Sequence, residues 1–145
     1  MKKHLQHTLT FFITVLVALT ISCGGDDAPS EPTAQELALE QLSATWSLNG
    51  GSIRLDGLDV SANYPGFSLS YSANSYTTQN GGDLFSASGT WSWVGDSDRL
   101  ILLDDGKQVS ISTLTDTDLV FSFQLSSSGG EAAGLPGSYE IALKK

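Results

Sequence analysis

After Ser43 the chain consists of short segments in which apolar and polar residues alternate, as in 67–72 and 118–125. Side chains along a β-strand point to opposite faces in turn, so a period of two is typical of strands with one buried face. Clusters of Gly, Asn and Asp separate the segments, as expected of tight turns. The pattern predicts eight or nine strands, at about 45–49, 52–56, 66–72, 75–79, 86–94, 98–103, 107–114, 118–125 and 138–144.

The connections between these strands are short, which requires antiparallel neighbours. An all-β antiparallel meander results, and both an up-and-down barrel of about eight strands and a two-sheet β-sandwich fit it. We expect the barrel, because consecutive hairpins need no long crossover and closure leaves no exposed strand edge. A short N-terminal helix is predicted over 33–42, where Thr33 and Glu36 have the spacing of a capping box.

The N-terminal segment has the parts of a secretory signal peptide. Lys2 and Lys3 precede an apolar run over 9–21, and Ser22 precedes the only cysteine, Cys23. A cysteine at this junction resembles the signal of bacterial lipoproteins, in which Cys23 would become the lipid-bearing first residue. The alternatives are a membrane-spanning or buried helix and a secreted protein with an unpaired thiol. The run spans about 20 Å as a helix, less than the ~30 Å hydrocarbon core.

The lipoprotein interpretation divides the chain into a lipoprotein signal peptide (1–22), a flexible acidic linker (23–33) and a barrel domain (34–145). The segment 24–27, with sequence GGDD, is similar to the acidic stretch after the cysteine in lipoproteins of the Bacteroidetes. That resemblance implies a protein anchored to the outer membrane through acyl chains such as palmitate on Cys23, with display on the cell surface as one option. The expected partner is therefore the membrane, reached through the covalent lipid.

The charge and the residue types after the junction exclude several functions. Without Lys2 and Lys3, the chain has five basic and sixteen acidic residues, which gives a net charge of −11. Such a chain lacks the basic patch that neutralises phosphates, so we expect no nucleic-acid partner. His4 and His7 both lie in the signal peptide. Histidine-based zinc sites and Ser-His-Asp or Cys-His catalysis are then impossible, and we expect a protein that is not an enzyme.

Two Asp-x-Asp pairs, in 96–98 and 116–118, have the alternating oxygens of a calcium loop. Neither continues to the glycine and the distal glutamate of the full motif. Aspartates in hairpin turns are routine. We therefore expect turns here, with no metal site and no cofactor.

Four short segments together resemble the lipocalin-like lipoproteins of the Bacteroidetes: 42–46, 89–91, 100–102 and 137–139, with sequences LSATW, GTW, LIL and GSY. The resemblance implies an eight-stranded up-and-down barrel of the calycin type with a helix near one end. The sequence departs from the lipocalin pattern at Ala44, where lipocalins have glycine two residues before the tryptophan. The basic residue that usually covers this tryptophan has no clear counterpart, since only Lys144 and Lys145 lie near the last strand.

The alternation also predicts which side chains face the barrel interior: Phe67, Leu69, Tyr71, Trp91, Trp93, Leu119, Phe121, Phe123, Tyr139 and Ile141. Seven of these ten are aromatic, and so many large rings predict a mostly packed interior. The alternative is a partial cavity for a small apolar ligand, lined by Tyr71, Trp91, Trp93, Phe121 and Phe123. Trp46 is expected to plug one barrel end.

Two functions remain open on this basis. The first is a lipid-anchored envelope protein whose lipocalin-like barrel binds a small apolar or amphipathic molecule. The second is a surface accessory lipoprotein with a solid core that docks on another envelope protein. An interior cavity favours the first, whereas a packed interior favours the second.

Overall fold

The computed structural model describes residues 30–126 and 135–145. The predicted signal peptide, Cys23 and most of the predicted linker lie outside the described residues. The elements are α1 (Ala34–Leu42), β1 (Thr45–Leu55), β2 (Leu58–Asp59), a 3-10 turn (Ser61–Asn63), β3 (Ser68–Tyr71), β4 (Ser75–Gln79), β5 (Ser88–Trp93), β6 (Leu100–Leu103), β7 (Gln108–Leu114), β8 (Asp118–Leu125) and β9 (Gly137–Lys144).

Eight of the strands form a closed antiparallel barrel, which confirms the predicted fold class over the two-sheet sandwich. Strands β3 to β9 pair in chain order, and β1 pairs with β3 on one side and with β9 on the other. The two-residue strand β2 lies outside this ring and pairs only with the end of β1. Short hairpins connect the strands from β3 to β8, as the turn residues predicted.

Strand β1 corrects the predicted strand boundaries. Residues 45–49 and 52–56 were expected as two strands around an Asn-Gly-Gly turn, but they belong to one strand, Thr45–Leu55. The pairing of β1 with β9 shifts register between Ser47 and Ser52, so the two glycines form an irregularity within the strand rather than a turn. The other differences are small: β3, β5, β6 and β7 are one or two residues shorter at an end than predicted.

The bulge needs glycine for two different reasons. Gly50 has a φ of +78°, which favours a residue without a Cβ. At Gly51 a Cβ would lie 2.0 Å from the carbonyl oxygen of Ala142 on β9. The two backbones approach so closely here because β1 bends between its two neighbours. Any side chain at Gly51 would therefore force the closing strands apart.

The predicted facing of the strands is confirmed. Nine of the ten side chains expected inside are buried, and the tenth, Trp93, is half-buried. The same face of each strand adds further apolar residues that the core contains, among them Ile53, Ile101, Leu103, Val109, Ile111 and Leu143. The interior is thus built from alternate residues of all eight strands of the ring.

Helix α1 covers one end of the barrel. Thr33 and Glu36 form the predicted capping box, in which the Glu36 amide donates to Thr33 Oγ1 and the Thr33 amide donates to Glu36 Oε2. Ala38 and Leu42 are buried against the core. Gln35 Nε2 donates to the Gly95 and Ser97 carbonyls, both at 2.9 Å. The helix is therefore fixed to the β5–β6 turn as well as to the barrel.

Replacement of Gly51 by alanine is expected to destabilise the barrel by about 3 kcal/mol, because the added Cβ overlaps the β9 backbone. Urea unfolding measures this change. The neighbouring variant Gly50→Asn is the matched control, since asparagine tolerates positive φ and the nearest atom to a Cβ there is 3.9 Å away. Equal losses in the two variants would contradict a contact effect at Gly51.

Candidate functional site

The two ends of the barrel are closed in different ways. The helix end comprises α1, the C-terminal residue and the β3–β4, β5–β6 and β7–β8 turns. The described part of the loop end comprises the β1–β2, β4–β5 and β6–β7 connections. The five residues predicted to line a ligand site divide between these ends.

Three of the predicted lining residues meet toward the helix end. The rings of Tyr71 and Trp91 lie edge to face with centroids 5.8 Å apart, and those of Trp91 and Trp93 lie edge to face at 5.0 Å. Trp91 Nε1 donates to the carbonyls of Ser72 and Ser75 at 3.0 and 3.2 Å. These rings therefore contact one another, and the polar edge of Trp91 is satisfied by the β3–β4 turn.

The other two predicted lining residues, Phe121 and Phe123, lie around a ring that the sequence analysis did not place inside. Phe85 is 4% exposed. Its centroid lies 6.1 Å from that of Phe121, 5.4 Å from that of Phe123 and 5.9 Å from that of Phe67. Phe85 precedes β5 and belongs to the β4–β5 connection, so a loop residue fills the space between the strands at this end.

A continuous series of ring contacts links the two groups. The centroids of Tyr71 and Tyr76 are 6.4 Å apart, and Tyr76 lies edge to face with Phe85 at the same distance. At the far side Phe123 stacks on Tyr139 at 5.4 Å. The aromatic side chains thus contact one another from Trp93 to Tyr139 across the described interior. This arrangement corresponds to the packed core expected from the aromatic count.

Lys107 is a second residue that the sequence analysis missed. Its side chain is only 8% exposed, although its strand neighbour Gln108 points to solvent. Nζ lies 4.7 Å from the centroid of Phe85 and 5.3 Å from that of Phe123. The ammonium donates to the Leu84 carbonyl and, at 3.0 Å, to Asp105 Oδ2. A cation placed against two rings is stabilised by their quadrupoles as well as by its hydrogen bonds.

The surface formed by the described residues includes several grooves. One of about 650 Å³ lies between α1 and the β5–β6 and β7–β8 turns, and one of about 610 Å³ lies beside the β1 bulge. The third, of about 340 Å³, lies beside the β6–β7 turn. Of the five predicted lining residues, only Phe123 borders any of these three grooves, and it borders the third.

The aspartates of the two calcium-like spacings are in turn or strand positions, and two of them have basic partners. Asp98 pairs with Arg99 at 3.6 Å. Asp118 begins β8 and pairs with Lys144, and this contact and a hydrogen bond from Thr117 lower the pKa of the Asp118 carboxyl. Within residues 30–126 and 135–145, no three His, Cys, Asp or Glu side chains group as metal ligands. In the same ranges no helix is long and apolar enough to cross a bilayer.

Trp46 lies at the helix end, as expected of an end plug. It is fully buried, and its Nε1 donates to the Leu42 carbonyl at 3.0 Å. Lys145 Nζ lies 5.8 Å from the centroid of this ring. A basic residue therefore does cover the tryptophan, which corrects the expectation that none has that position. The position of Lys145 over this ring could not be predicted from the sequence, because Lys145 follows the last strand and has no place in its alternation.

Comparison with known proteins gave no match for this chain among protein-family models, curated proteins or solved structures. The function is therefore inferred from the chain's own residues and their geometry.

The tyrosine hydroxyls of this core have raised pKa values. Burial, followed by the charge of Asp104, raises the pKa of Tyr76 from 10.0 to about 12. Burial and Tyr139 raise the pKa of Tyr64 to about 12. Burial, with a smaller effect of Tyr76, also raises the pKa of Tyr71. The fold therefore favours the neutral phenols of these side chains over the tyrosinates.

Because these folded-state pKa values exceed those of the unfolded chain, their contribution to stability is complete below pH 10 and is lost as the pH rises through about 12. The free energy of unfolding in urea should therefore fall over this window. Tyr76→Phe should reduce the slope of that fall, whereas Ser92→Ala on the outer face of β5 should not. Tyrosinate absorbance that reaches completion near pH 10 in the folded chain would contradict the assignment.

Proposed function

We propose that the protein is a non-enzymatic, lipid-anchored accessory protein of the bacterial envelope, with a filled barrel that supports surface contacts with another envelope protein. The observation that supports this most directly is the unbroken series of ring contacts from Trp93 to Tyr139. Ligand pockets for small molecules typically enclose roughly 300–1,000 Å³. Here the aromatic side chains that were predicted to line such a pocket contact one another, with the ring of Phe85 between the two groups.

The anchoring part of the proposal is supported by the N-terminal sequence. Cys23 follows a basic start, an apolar run and Ser22, and it precedes an acidic linker. Each buried acyl CH₂ contributes about 0.8 kcal/mol to membrane binding, and stable anchoring takes more than one chain. The net charge of −11 after the junction would oppose adsorption to anionic lipids, so the acyl chains would supply the attachment. Location in the outer membrane is supported by the resemblance of residues 24–27 to lipoprotein export segments.

A second function, binding of a small apolar or amphipathic molecule, is favoured by one specific observation. The ring at the centre of the loop-end aromatic cluster, that of Phe85, comes from a connection and not from a strand of the barrel. A loop segment can leave its position without breaking the β-ladder, whereas a strand residue cannot. The two functions therefore differ in whether Phe85 is a permanent part of the core.

Native mass spectrometry of the full chain purified from its membrane tests the choice between these functions. The accessory function predicts the mass of the acylated polypeptide with no additional small molecule. Crosslinking in intact cells should then capture the chain with an envelope protein. A stoichiometric small molecule that is released only on unfolding would contradict the accessory function and support the second one.

Cys23→Ala is expected to abolish incorporation of radiolabelled palmitate and to move the chain from the membrane pellet to the soluble fraction. The reason is that the thiol is the only site for a thioether-linked lipid. Ser22→Ala is the matched control, since it keeps the thiol and a small residue before it, and it should retain both label and membrane attachment. Retention of the alanine variant in the pellet would place the anchor elsewhere in the chain.

A further inference from the structure

We infer that Leu84 and Phe85 form a displaceable plug, and that the space they occupy is a binding site for a small aromatic carboxylate. This inference deepens the second candidate function. It does not depend on the lipid anchor, because the contacts that support it lie within residues 64–124 of the barrel domain.

The plug lies on a segment held by few backbone hydrogen bonds. The β4–β5 ladder ends at the pair Thr77 and Ser88, and one more backbone bond joins Thr78 to Ala87. Beyond that point the described bonds of the connection are the Leu84 amide to the Gly81 carbonyl, Thr78 Oγ1 to the Ser86 carbonyl, Asn80 Nδ2 to the Gly66 carbonyl at 3.3 Å and Lys107 Nζ to the Leu84 carbonyl. Displacement of the plug therefore leaves the ladder of the barrel intact.

The connection also contains positions where the chain can turn outward. Asn80 and Gly82 both have a φ of +53°, outside the strand region. Gly82 faces only the ring of Tyr64, with the nearest ring atom 3.3 Å from where a Cβ would lie. Rotation at such residues costs little, because glycine populates both signs of φ. Gly82 lies two residues before Leu84, and we assign the hinge of the plug to it.

The space left by Phe85 would be aromatic on its sides and cationic at one edge. Four rings surround it, those of Phe67, Tyr76, Phe121 and Phe123. Removal of one phenyl ring from such an environment leaves a cavity that favours an aromatic molecule over water, as engineered apolar cavities do. The shape and polarity of this space therefore favour an occupant with a single aromatic ring.

Lys107 determines which polar group the occupant should carry. Its ammonium has three N–H donors, of which one bonds Asp105 and another bonds the Leu84 carbonyl. When the plug leaves, the Leu84 carbonyl goes with it, and a largely buried donor is left without its acceptor. A carboxylate oxygen at that position would restore the bond in charge-assisted form. A neutral ring compound would fill the cavity but leave this donor unsatisfied.

An approach to the site from outside is already present. The groove of about 340 Å³ beside the β6–β7 turn is lined by Lys107 and Phe123, together with Gly106, Gln108 and Gln124. Two of the residues that contact Phe85 therefore also border solvent-accessible space. A small carboxylate in this groove would reach the ammonium before the plug had fully left.

Phenylacetate is the appropriate probe, because it joins the ring of a phenylalanine side chain to a carboxylate. Its binding to the full chain is measured by isothermal titration, with the neutral isostere phenylacetamide as the matched ligand. We expect the natural chain to bind phenylacetate in the millimolar range. Binding should be about tenfold tighter than for phenylacetamide, the difference that one charge-assisted hydrogen bond accounts for.

Three variants test separately the displacement of Phe85, the role of Lys107 and the location of the binding site. Phe85→Ala should bind phenylacetate at least about tenfold more tightly than the natural chain, because no plug has to leave. Lys107→Met, which keeps the length of the side chain, should lose the preference for the carboxylate. Leu119→Ala makes a cavity elsewhere in the core, at a fully buried position near the helix end, and should not improve phenylacetate binding.

Hydrogen exchange reports the displacement itself. Saturating phenylacetate should accelerate exchange of the Leu84 amide in the natural chain and leave the β4–β5 ladder protected. This readout and Lys107→Met keep the test decisive should Phe85→Ala fail to fold. Binding to Phe85→Ala but not to the natural chain would overturn the inference, since Phe85 would then be a fixed core residue. Equal affinity for phenylacetamide would overturn it as well. Neither result would bear on the lipid anchor, and a fixed Phe85 would agree with the accessory function, in which the barrel is filled.

Discussion

The pairing of β1 with β9 is the constraint on which the rest of the structure depends. This contact joins the first strand of the ring to the last. It turns an open sheet into a closed barrel, in which each of the eight strands has a partner on both sides. The pairing continues past the register shift in β1, where Gly51 lets the backbone of this strand approach Ala142. Once the ring is closed, alternate residues of every strand are withdrawn from water together, so local geometry at one glycine supports the burial of the whole core.

Burial carries the stability of this domain, because a single cysteine allows no disulfide within the chain. Among the described residues, every buried side-chain nitrogen or oxygen has a hydrogen-bond partner. The polar edges of the large rings are satisfied by main-chain carbonyls, as with Trp46 on Leu42 and Tyr139 on Leu135. The core thus obtains the large burial of aromatic side chains without unpaired polar groups.

Much of this architecture was predictable because a strand with one buried face has an unambiguous period. The alternation in β8 and β9 correctly predicted the inward positions of Phe121, Phe123, Tyr139 and Ile141. The glycines of β1 were misread because a bulge and a turn have the same local composition, and only the partner strand distinguishes them. Phe85 and Lys107 were missed because they lie in or beside a connection, where burial depends on tertiary contacts and leaves no periodic signal.

The two barrel ends differ in what their opening would cost, and this difference limits where a functional change can occur. At the helix end, α1 contributes buried Ala38 and Leu42, and Trp46 is enclosed beneath it, so opening would expose several apolar side chains at once. Among the described residues of the loop end, the β4–β5 connection places Phe85 in the core and is held there in part by the hydrogen bond between Lys107 and the Leu84 carbonyl. A bond from an ammonium can be replaced by one to another anionic acceptor, whereas buried apolar area has no such substitute in water. Of the described parts of the two ends, the β4–β5 connection therefore opens at the lower cost, and it lies beside Phe123, the predicted lining residue that borders a described groove.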